Sequence, residues 1–315
     1  MNRLFRLAAL AVGLLAAPGV ALGQEPAPES APEPAPEQEP VRLVFLDVGQ
    51  GDAVLIVSPE GRSALVDGGP SRGLVAKLRD LGIEALDLVV ATHPHADHIG
   101  GLGEVVTQMP VAFYMDNGVP HTTQTYLRLM RALRERPEVT YLEASPRTIR
   151  LGSVEIEVLP LPQPGDNLNN RSVTLVVRHG DFEAFLSGDS EVPQLDFLLA
   201  RGAVPDVELF KAPHHGSDDA VSPAFLRAAS PEAIVISVGA DNRFGHPRPA
   251  ALAAYRSATG GRVHRTDLAG NVVVLGEEDG SFTVGGRAAI PGGAGGGGAV
   301  GGGVGVGVGA GVGAR

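Results

Sequence analysis

The sequence feature that most constrains the fold is an almost entirely apolar run, LDLVVA, at residues 86–91. A continuous apolar run of this length is typical of a strand that is buried on both faces of a sheet. The run leads directly into THPHADHIGG, residues 92–101, in which three histidines and one aspartate lie within six residues. We therefore predict a central strand that ends in a chemically reactive loop.

Similar runs recur along the chain, separated by glycine-rich turns. We predict strands at residues 41–48, 53–57, 63–66, 86–91, 139–142, 154–159, 173–178, 182–186, 233–238, 263–265, 272–275 and 282–284. We predict helices at residues 72–81, with Ser71 as the N-cap, and at 99–106, 122–134, 191–200, 223–229 and 249–257. This order favours an α/β fold in which two sheets pack face to face with helices outside.

The two ends of the chain differ in composition from this body, which spans residues 41–291. Residues 1–23 carry two arginines before an apolar run and end in small residues, which predicts a secretory signal cleaved near Gly23. The alternative, an uncleaved membrane anchor, is disfavoured by a Pro-Gly break in the run. Residues 24–40, with six prolines and five glutamates, predict an extended linker, and residues 292–315 a disordered glycine-rich tail. The mature chain is then exported, without a transmembrane segment, and we expect a monomer.

Charge and cysteine content exclude several classes of site. The formal net charge is −11, so a basic surface for tight binding of a nucleic-acid backbone is not evident. The chain has no cysteine, which excludes disulfides, thiolate metal sites and cysteine nucleophiles. Any metal site must use histidine and carboxylate ligands.

The spacing of the histidine-rich loop suits metal binding. Imidazole nitrogens and carboxylate oxygens are ligands of zinc and manganese. In an extended loop His93 and His95 point the same way, so both can hold one cation. Asp97 and His98 begin the next helix and can turn toward a second cation. Because four ligands lie here and more lie elsewhere, we predict two metal ions.

Three other segments can complete the site. The segment LSGD ends a strand with Asp189 placed to bridge two cations. The segment KAPHHGS supplies His214 and His215, and FGHP places His246 before a helix that opens with proline. Each of these segments alone is weak evidence for a metal ligand. Together with the histidine-rich loop, the three segments become strong evidence for a metal site.

Together these motifs resemble the metallo-β-lactamase superfamily and, more narrowly, the hydrolase domain at the end of ComEC-type competence proteins. The resemblance spans about residues 41–285 and is carried by FLDVGQGDA, LVDGG, HPHADH, NNRS, SGD, KAPHHGS and GHP, in that order. The bacterial choline-phosphate esterases share much of this layout. The resemblance implies an αββα sandwich of two mixed β-sheets flanked by helices, and a metal-dependent hydrolase.

The resemblance also implies roles for individual residues. It assigns metal 1 to His93 and His95 and metal 2 to Asp97, His98 and one further histidine, with Asp189 as the bridge. His215 is the favoured further ligand because it directly precedes glycine, which leaves His214 to face the substrate, and His214 remains the alternative. Asp67 is expected to accept a hydrogen bond that orients a ligand histidine.

Four positions stay open at this stage. Many family members have a third metal-1 histidine, and this chain has NNRS there, so Asn170 or Ser172 is a candidate to assist metal 1 or contact substrate. Asp52 belongs either to a tight turn or to the surroundings of the metals. Lys211 is either a solvated strand-end lysine or a contact for a substrate phosphate.

The implied mechanism uses two divalent cations, Zn²⁺ or Mn²⁺, that share a bridging hydroxide as the nucleophile. Asp97 would orient it, and His246 or His214 would donate a proton to a leaving or non-bridging oxygen. The resemblance points to phosphodiester substrates, either small molecules or nucleic acid, and thus to a phosphodiesterase or nuclease. The alternatives are a β-lactam or lactone hydrolase and a non-catalytic metal-binding surface module.

Overall fold

The computed structural model describes residues 39–286. The predicted signal segment, all but the last two residues of the predicted linker, and the glycine-rich tail lie outside the described residues. Their boundaries and the export of the chain therefore stay predictions. Within the described range no helix combines the length and the hydropathy needed to cross a membrane.

The described residues form fifteen strands and eight α-helices. The strands are β1 Val41–Phe45, β2 Val54–Val57, β3 Ser63–Val66, β4 Leu86–Val90, β5 Val111–Asp116, β6 Thr140–Glu143, β7 Arg147–Leu151, β8 Val154–Val158, β9 Leu175–His179, β10 Phe182–Leu186, β11 Leu209–Lys211, β12 Ala233–Ile236, β13 Val263–Arg265, β14 Val272–Gly276 and β15 Phe282–Gly286. The helices are α1 Leu74–Asp80, α2 Ala96–Ile99, α3 Leu102–Gln108, α4 Gln124–Arg134, α5 Val192–Leu199, α6 Pro223–Ala229, α7 Pro249–Ala258 and α8 Thr266–Ala269.

The strands form two mixed sheets, as predicted. The first has the order β15-β14-β1-β2-β3-β4-β5-β6, antiparallel up to β3 and parallel from β3 to β6. The second has the order β13-β12-β11-β10-β9-β8-β7, with β10 to β13 parallel and the rest antiparallel. Parallel strands send their carboxyl ends to one edge of a sheet, so each sheet has one edge at which such loops collect.

Alternation along the strands separates the apolar residues into layers. Val41, Leu43 and Phe45 of β1 lie in the core between the sheets, whereas Val44 of the same strand lies in the core under α1, α3 and α4. A third core packs α5, α6 and α7 on the second sheet and includes a stack of Phe185 on Phe210. Because side chains alternate between the faces of a strand, this pattern produces helices, two sheets and helices in four layers, which confirms the αββα sandwich.

Some details differ from the sequence predictions. The helix predicted at residues 72–81 begins at Leu74, and its N-cap is Gly73, so the N-cap prediction for Ser71 was wrong. The single helix predicted at residues 99–106 is two helices, α2 and α3. Strands β5, β7 and β11 were not predicted.

The last two strands return to the first sheet beside β1. Strand β14 pairs with β1 so that Val41 lies opposite Gly276 and Phe45 opposite Val272. Strand β15 then runs back along β14, and Gly286 lies opposite Val272. The described chain therefore begins and ends at opposite ends of these neighbouring strands.

Candidate metal centre

The histidine-rich loop lies at the carboxyl end of β4. His93 follows the strand and is 1% exposed, and His95 is the N-cap of α2. Asp97 and His98 lie within α2, and His98 is fully buried. The end of the strand and the start of the helix thus direct all four side chains into one region between the two sheets.

Two imidazole nitrogens of this loop face each other. Nε2 of His93 lies 2.9 Å from Nδ1 of His95. Burial lowers the pKa of His93 well below its ordinary value and also lowers the pKa of His95. Both rings are therefore neutral near pH 7 and offer lone pairs, which is the state that binds a metal. This pair corresponds to the residues predicted for metal 1.

A second group of ligand atoms lies beside this pair. Asp97, His98, Asp189 and His215 each present one ligand atom, all within 4.8 Å of one another. Nε2 of His98 lies 3.1 Å from Oδ2 of Asp189, and Nε2 of His215 lies 3.5 Å from the same oxygen. These are the residues predicted for metal 2, with His215 rather than His214 inside the group.

Asp189 joins the two groups. Its Oδ2 also lies 3.9 Å from Nε2 of His93. Its Oδ1 is buried and has no hydrogen-bond partner among the described residues, and the same holds for Nε2 of His98 and of His215. Buried polar atoms without partners are rare and call for an explanation, and a cation held between them provides one. The residues present therefore fit a metal site, and the two groups predicted to hold separate cations adjoin at Asp189.

The pKa shifts in the site also favour a bound cation. Burial alone would lower the pKa of both His98 and His215, but the carboxylate of Asp189 and a second carboxylate beside each ring raise it well above the ordinary value. Burial opposes ionisation of Asp97, yet the nearby imidazoles of His215 and His98 lower its pKa to about 2. The site is built to hold positive charge among ionised carboxylates.

Separate contacts hold the Nδ1 side of two of these rings. Nδ1 of His98 lies 2.8 Å from Oδ2 of Asp67, which also accepts hydrogen bonds from Thr92. Nδ1 of His215 lies 3.0 Å from the carbonyl oxygen of Ser237. Such contacts fix ring orientation and leave Nε2 for the metal. The structure thus places Asp67 against His98, at the nitrogen that points away from the second group.

The NNRS segment, residues 169–172, packs against the ligand residues His93 and Asp189. Oγ of Ser172 lies 3.4 Å from Nδ1 of His93 and accepts a hydrogen bond from the backbone N–H of Asp189. The side-chain amide of Asn170 donates to Glu191. Ser172 therefore faces Nδ1 of His93, and Asn170 is hydrogen-bonded to the start of α5. Their assistance to metal 1 or to substrate stays a prediction.

Asp52 and Lys211 form a buried ion pair under the second group. Nζ of Lys211 lies 2.6 Å from Oδ2 of Asp52, and the two side chains are 2% and 1% exposed. The same Nζ donates to the carbonyl oxygens of Gly188 and Ala212. Lys211 does end a strand, but it is enclosed and not solvated, so that prediction was wrong. A contact between Lys211 and a substrate phosphate stays a prediction.

Asp52 also touches the ligand histidines. Its Oδ1 lies 3.3 Å from Nδ1 of His215, and its Oδ2 lies 3.7 Å from Nδ1 of His98. Of the two open alternatives for Asp52, the structure supports its position in the surroundings of the predicted metals.

His214 and His246 lie at the opening of the site. Nε2 of His214 lies 3.9 Å from Oδ2 of Asp189, while its Nδ1 lies 3.2 Å from Asp219 and 3.6 Å from Glu191. Nδ1 of His246 donates to the carbonyl oxygen of His214 at 3.2 Å, which leaves its Nε2 as an acceptor. Burial lowers the pKa of His246, so that ring is neutral near pH 7.

Some residues near the site were not anticipated from the sequence. Glu191 accepts hydrogen bonds from three asparagine side chains and faces His214. The ring of His121, from the loop after β5, lies 6.5 Å from the ring of His95. No local motif marks these positions, because the loops that carry them become neighbours only in the folded sandwich.

The backbone of the site is strained at several ligands or their supports. Asp67, His214 and His215 have φ values of 62°, 47° and 55°. Non-glycine residues seldom adopt this region, and such strain concentrates at functional sites. The turn of the HHG segment thus carries a cost that the surrounding contacts offset.

Comparisons with known proteins agree with this geometry. A sequence profile described as "Metallo-beta-lactamase superfamily" matches residues 46–240. The chain is 31% identical over 230 residues to "Competence protein ComA" of Neisseria gonorrhoeae, covering 71% of this chain and 30% of that protein. It is 26% identical over 252 residues to "ComE operon protein 3" of Bacillus subtilis, covering 72% of this chain and 32% of that protein. The chain thus spans about a third of the length of these curated relatives.

A solved structure shares the fold. CmlA of Streptomyces venezuelae, described as a diiron beta-hydroxylase, superposes with a TM-score of 0.51 at 18% identity, over 76% of this chain and 55% of that one. At this level of identity the likeness concerns the fold alone.

Proposed function

Because the chain belongs to the metallo-β-lactamase superfamily and has its metal-dependent hydrolase fold, we propose that it hydrolyses phosphodiesters with two divalent cations, outside the cytoplasm. The observation that carries the proposal is the pair of adjacent ligand groups that meet at Asp189 and leave buried ligand atoms without other partners. The choice of phosphodiesters is supported by the similarity to two competence proteins.

Each residue of the metal centre would have a separate role. His93 and His95 would hold the first cation, Asp97, His98 and His215 the second, and Asp189 both. When bound, Zn²⁺ or Mn²⁺ would supply an acidified water as nucleophile and neutralise charge on the attacked phosphate. Asp97, which is partly exposed toward the opening, would orient the nucleophile while it binds metal.

Two histidines at the opening can exchange a proton with the substrate. His246 offers a neutral acceptor nitrogen, as described above. His214 has a carboxylate on each side of Nδ1 and its Nε2 directed toward the cluster. We therefore favour His214 over His246 as the group that donates a proton to the leaving oxygen.

The test is hydrolysis by the full chain with added Mn²⁺ or Zn²⁺. The substrates are single-stranded DNA, bis-p-nitrophenyl phosphate, a phosphocholine ester and nitrocefin. We expect phosphodiester cleavage that falls by at least about 100-fold in His95→Ala and Asp97→Ala. His264→Ala, which removes a partly buried histidine on the distant strand β13, is the matched control.

Two results would contradict the proposal. Undiminished cleavage in both variants would exclude the metal mechanism. Efficient turnover of nitrocefin without phosphodiester cleavage would instead support a β-lactam hydrolase.

A further inference from the structure

An aromatic side chain projects at the rim of the metal centre without being needed for the core. Phe244 lies between α7 and β12, next to His246, and is 44% exposed. It contacts the ring of His246 edge to face at 5.8 Å. A large apolar side chain left in water beside a candidate catalytic opening is a candidate ligand contact.

The segment that carries Phe244 is fixed to the loop that carries the ligand histidine. The side-chain amide of Asn242 donates to the carbonyl oxygen of His246 at 2.7 Å and accepts from its backbone N–H at 2.9 Å. The backbone N–H of Arg248 donates to the carbonyl oxygen of Gly216 at 2.8 Å. These hydrogen bonds therefore fix the loop that carries Phe244 beside the turn at Gly216.

Phe244 lies on the side of His246 that faces away from His214 and His215. The ring of His246 separates Phe244 from the cluster, and it lies 5.7 Å from the ring of His214 and 6.4 Å from that of His215. If the phosphate to be cleaved sits at the cations, the group attached to it extends past His246 toward Phe244. A planar base in that position would lie against the exposed ring.

Two arginines place positive charge at the same rim. The guanidinium of Arg243 lies 5.0 Å from the centre of the Phe244 ring. Arg243 and Arg248 are both exposed, and neither forms an ion pair with any residue between 39 and 286. Two exposed guanidinium groups thus lie near an exposed aromatic ring in a chain whose net charge is −11. Arginine is well suited to bind phosphate and to stack on planar groups.

We propose that Phe244, Arg243 and Arg248 form a stacking subsite for a nucleobase attached to the substrate phosphate. The subsite rests on the proposed function and narrows its substrates to nucleotide phosphodiesters with an unpaired base. Stacking on an aromatic ring accepts every base, so we expect little sequence preference. Because the net charge of the chain is −11, we expect recognition to be limited to the nucleotides next to the cleaved bond.

The first test compares two matched substrates. One is a short oligo-dT, and the other is the same backbone with abasic tetrahydrofuran units. Phe244→Ala should raise KM for oligo-dT about tenfold, the effect expected for one lost stacking contact, and leave the abasic substrate unchanged. Phe244→Trp should retain the wild-type preference. Leu268→Ala removes another exposed apolar side chain, 75% exposed and outside the site, and should change neither.

The second test concerns the arginines. Arg243→Ala and Arg248→Ala should weaken binding of both oligonucleotides. Each should reduce the slope of log affinity against log salt by about 0.7, the value for one contact to a single-stranded phosphate. A weakening that is the same at all salt concentrations would contradict the assignment of these arginines.

Binding measured separately from cleavage keeps the two proposals apart. Fluorescence anisotropy of labelled oligonucleotides is recorded for His95→Ala and for His95→Ala/Phe244→Ala, which bind without rapid cleavage. If wild type cleaves DNA and Phe244→Ala affects oligo-dT and abasic substrate alike, the subsite is wrong and the hydrolase stands. If wild type cleaves no phosphodiester but Phe244→Ala selectively loses oligo-dT affinity, the hydrolase is wrong and the subsite stands.

Discussion

At His98, His215 and His93 one ring nitrogen is held from behind, so the other nitrogen points in a fixed direction. The holding groups differ: a carboxylate, a backbone carbonyl with a nearby carboxylate, and hydroxyl groups. The sequence motif identifies which residues are ligands. It does not identify which nitrogen each would use, because that depends on neighbours from other strands.

Lys211 is a second residue whose contacts the sequence alone does not predict. Its charge and its place at a strand end favour exposure, since lysine is rarely buried without a partner. Its partner Asp52 lies in the loop between β1 and β2 of the other sheet, and no local pattern links the two. The pair becomes visible only when the sheets are packed.

We predict that Lys211→Met strongly destabilises the protein. The substitution leaves the Asp52 carboxylate buried without its nearest cation, and such a loss costs about 3–5 kcal/mol. The double variant Lys211→Met/Asp52→Asn should recover most of this, because the uncompensated charge is gone. Urea unfolding of the metal-free chain measures both.

Lys77→Met is the control for this prediction, because Lys77 is exposed on α1. Its free energy of unfolding should match wild type. If Lys211→Met alone were as stable as wild type, Asp52 would not depend on Lys211 for compensation.

At the scale of elements, the fully buried strands and the longer helices were predicted, whereas short or partly polar strands were missed. Apolar β-branched runs such as β2 and β12 are buried on both faces. A short run of this composition predicts a buried strand with few alternatives. Strand β5, with the sequence VAFYMD, has exposed and polar positions and was missed. Strand β11 has only three residues and gives no periodic signal.

The helix predicted at residues 99–106 is interrupted for a specific reason. In a continuous helix the backbone N–H of Gly101 would donate to the carbonyl oxygen of Asp97. Instead it donates to Gly69, and the Asp97 carbonyl accepts from the backbone N–H of Asp52. Contacts with two other loops thus replace the helical bond, and a single-segment pattern cannot show this.

We predict that Gly51→Ala disrupts the second cation site. Gly51 has φ of 144°, and a Cβ there would lie 2.2 Å from the backbone oxygen of Asp97, so α2 must shift. We expect a loss of at least about tenfold in affinity for the second equivalent of Mn²⁺, measured by calorimetry.

Gly49→Ala is the control that separates the effect of backbone strain from the effect of a steric clash with Asp97. Gly49 has φ of 78°, and a Cβ there meets no atom within 4 Å. It should cost about 1 kcal/mol of stability from backbone strain and leave metal affinity unchanged. Equal metal binding by the two variants would show that the contact between Gly51 and Asp97 is unimportant.

For the molecule as a whole, the site lies across the seam between the sheets. Asp67, His93 and His98 follow strands of the first sheet, and Asp189 and His215 follow strands of the second. Cations bound there would join the two halves of the sandwich. The sequence motifs predicted this convergence through the family resemblance, whereas composition and periodicity alone predicted only the layers.

We predict that Mn²⁺ or Zn²⁺ raises the Tm and that the rise is larger at pH 8 than at pH 6. In the metal-free chain His98 and His215 have raised pKa values, so their protonated rings stabilise the fold fully below pH about 6.5. That contribution declines as pH rises through the raised values. Cations compete with these protons, so their affinity increases over the same range.

The expected size follows from mass action. A ligand at 100 times its Kd stabilises by about 2.7 kcal/mol, or roughly 5–10 °C for a domain of this size. Thermal unfolding at both pH values, with EDTA or with metal, measures the difference. A rise that is larger at pH 6 than at pH 8 would contradict proton competition at these histidines.

The register of the last strands gives the described chain a defined polarity. Val41 begins β1 at the end away from the metal centre, whereas Gly286 lies beside Val272, at the end where β1 enters the loop to Asp52. A fusion partner or solid support attached before Val41 therefore starts on the far side of the sandwich from the opening. One attached after Gly286 starts on the same side as the opening. For immobilisation, the first arrangement leaves the opening facing the solution, and the second turns it toward the support.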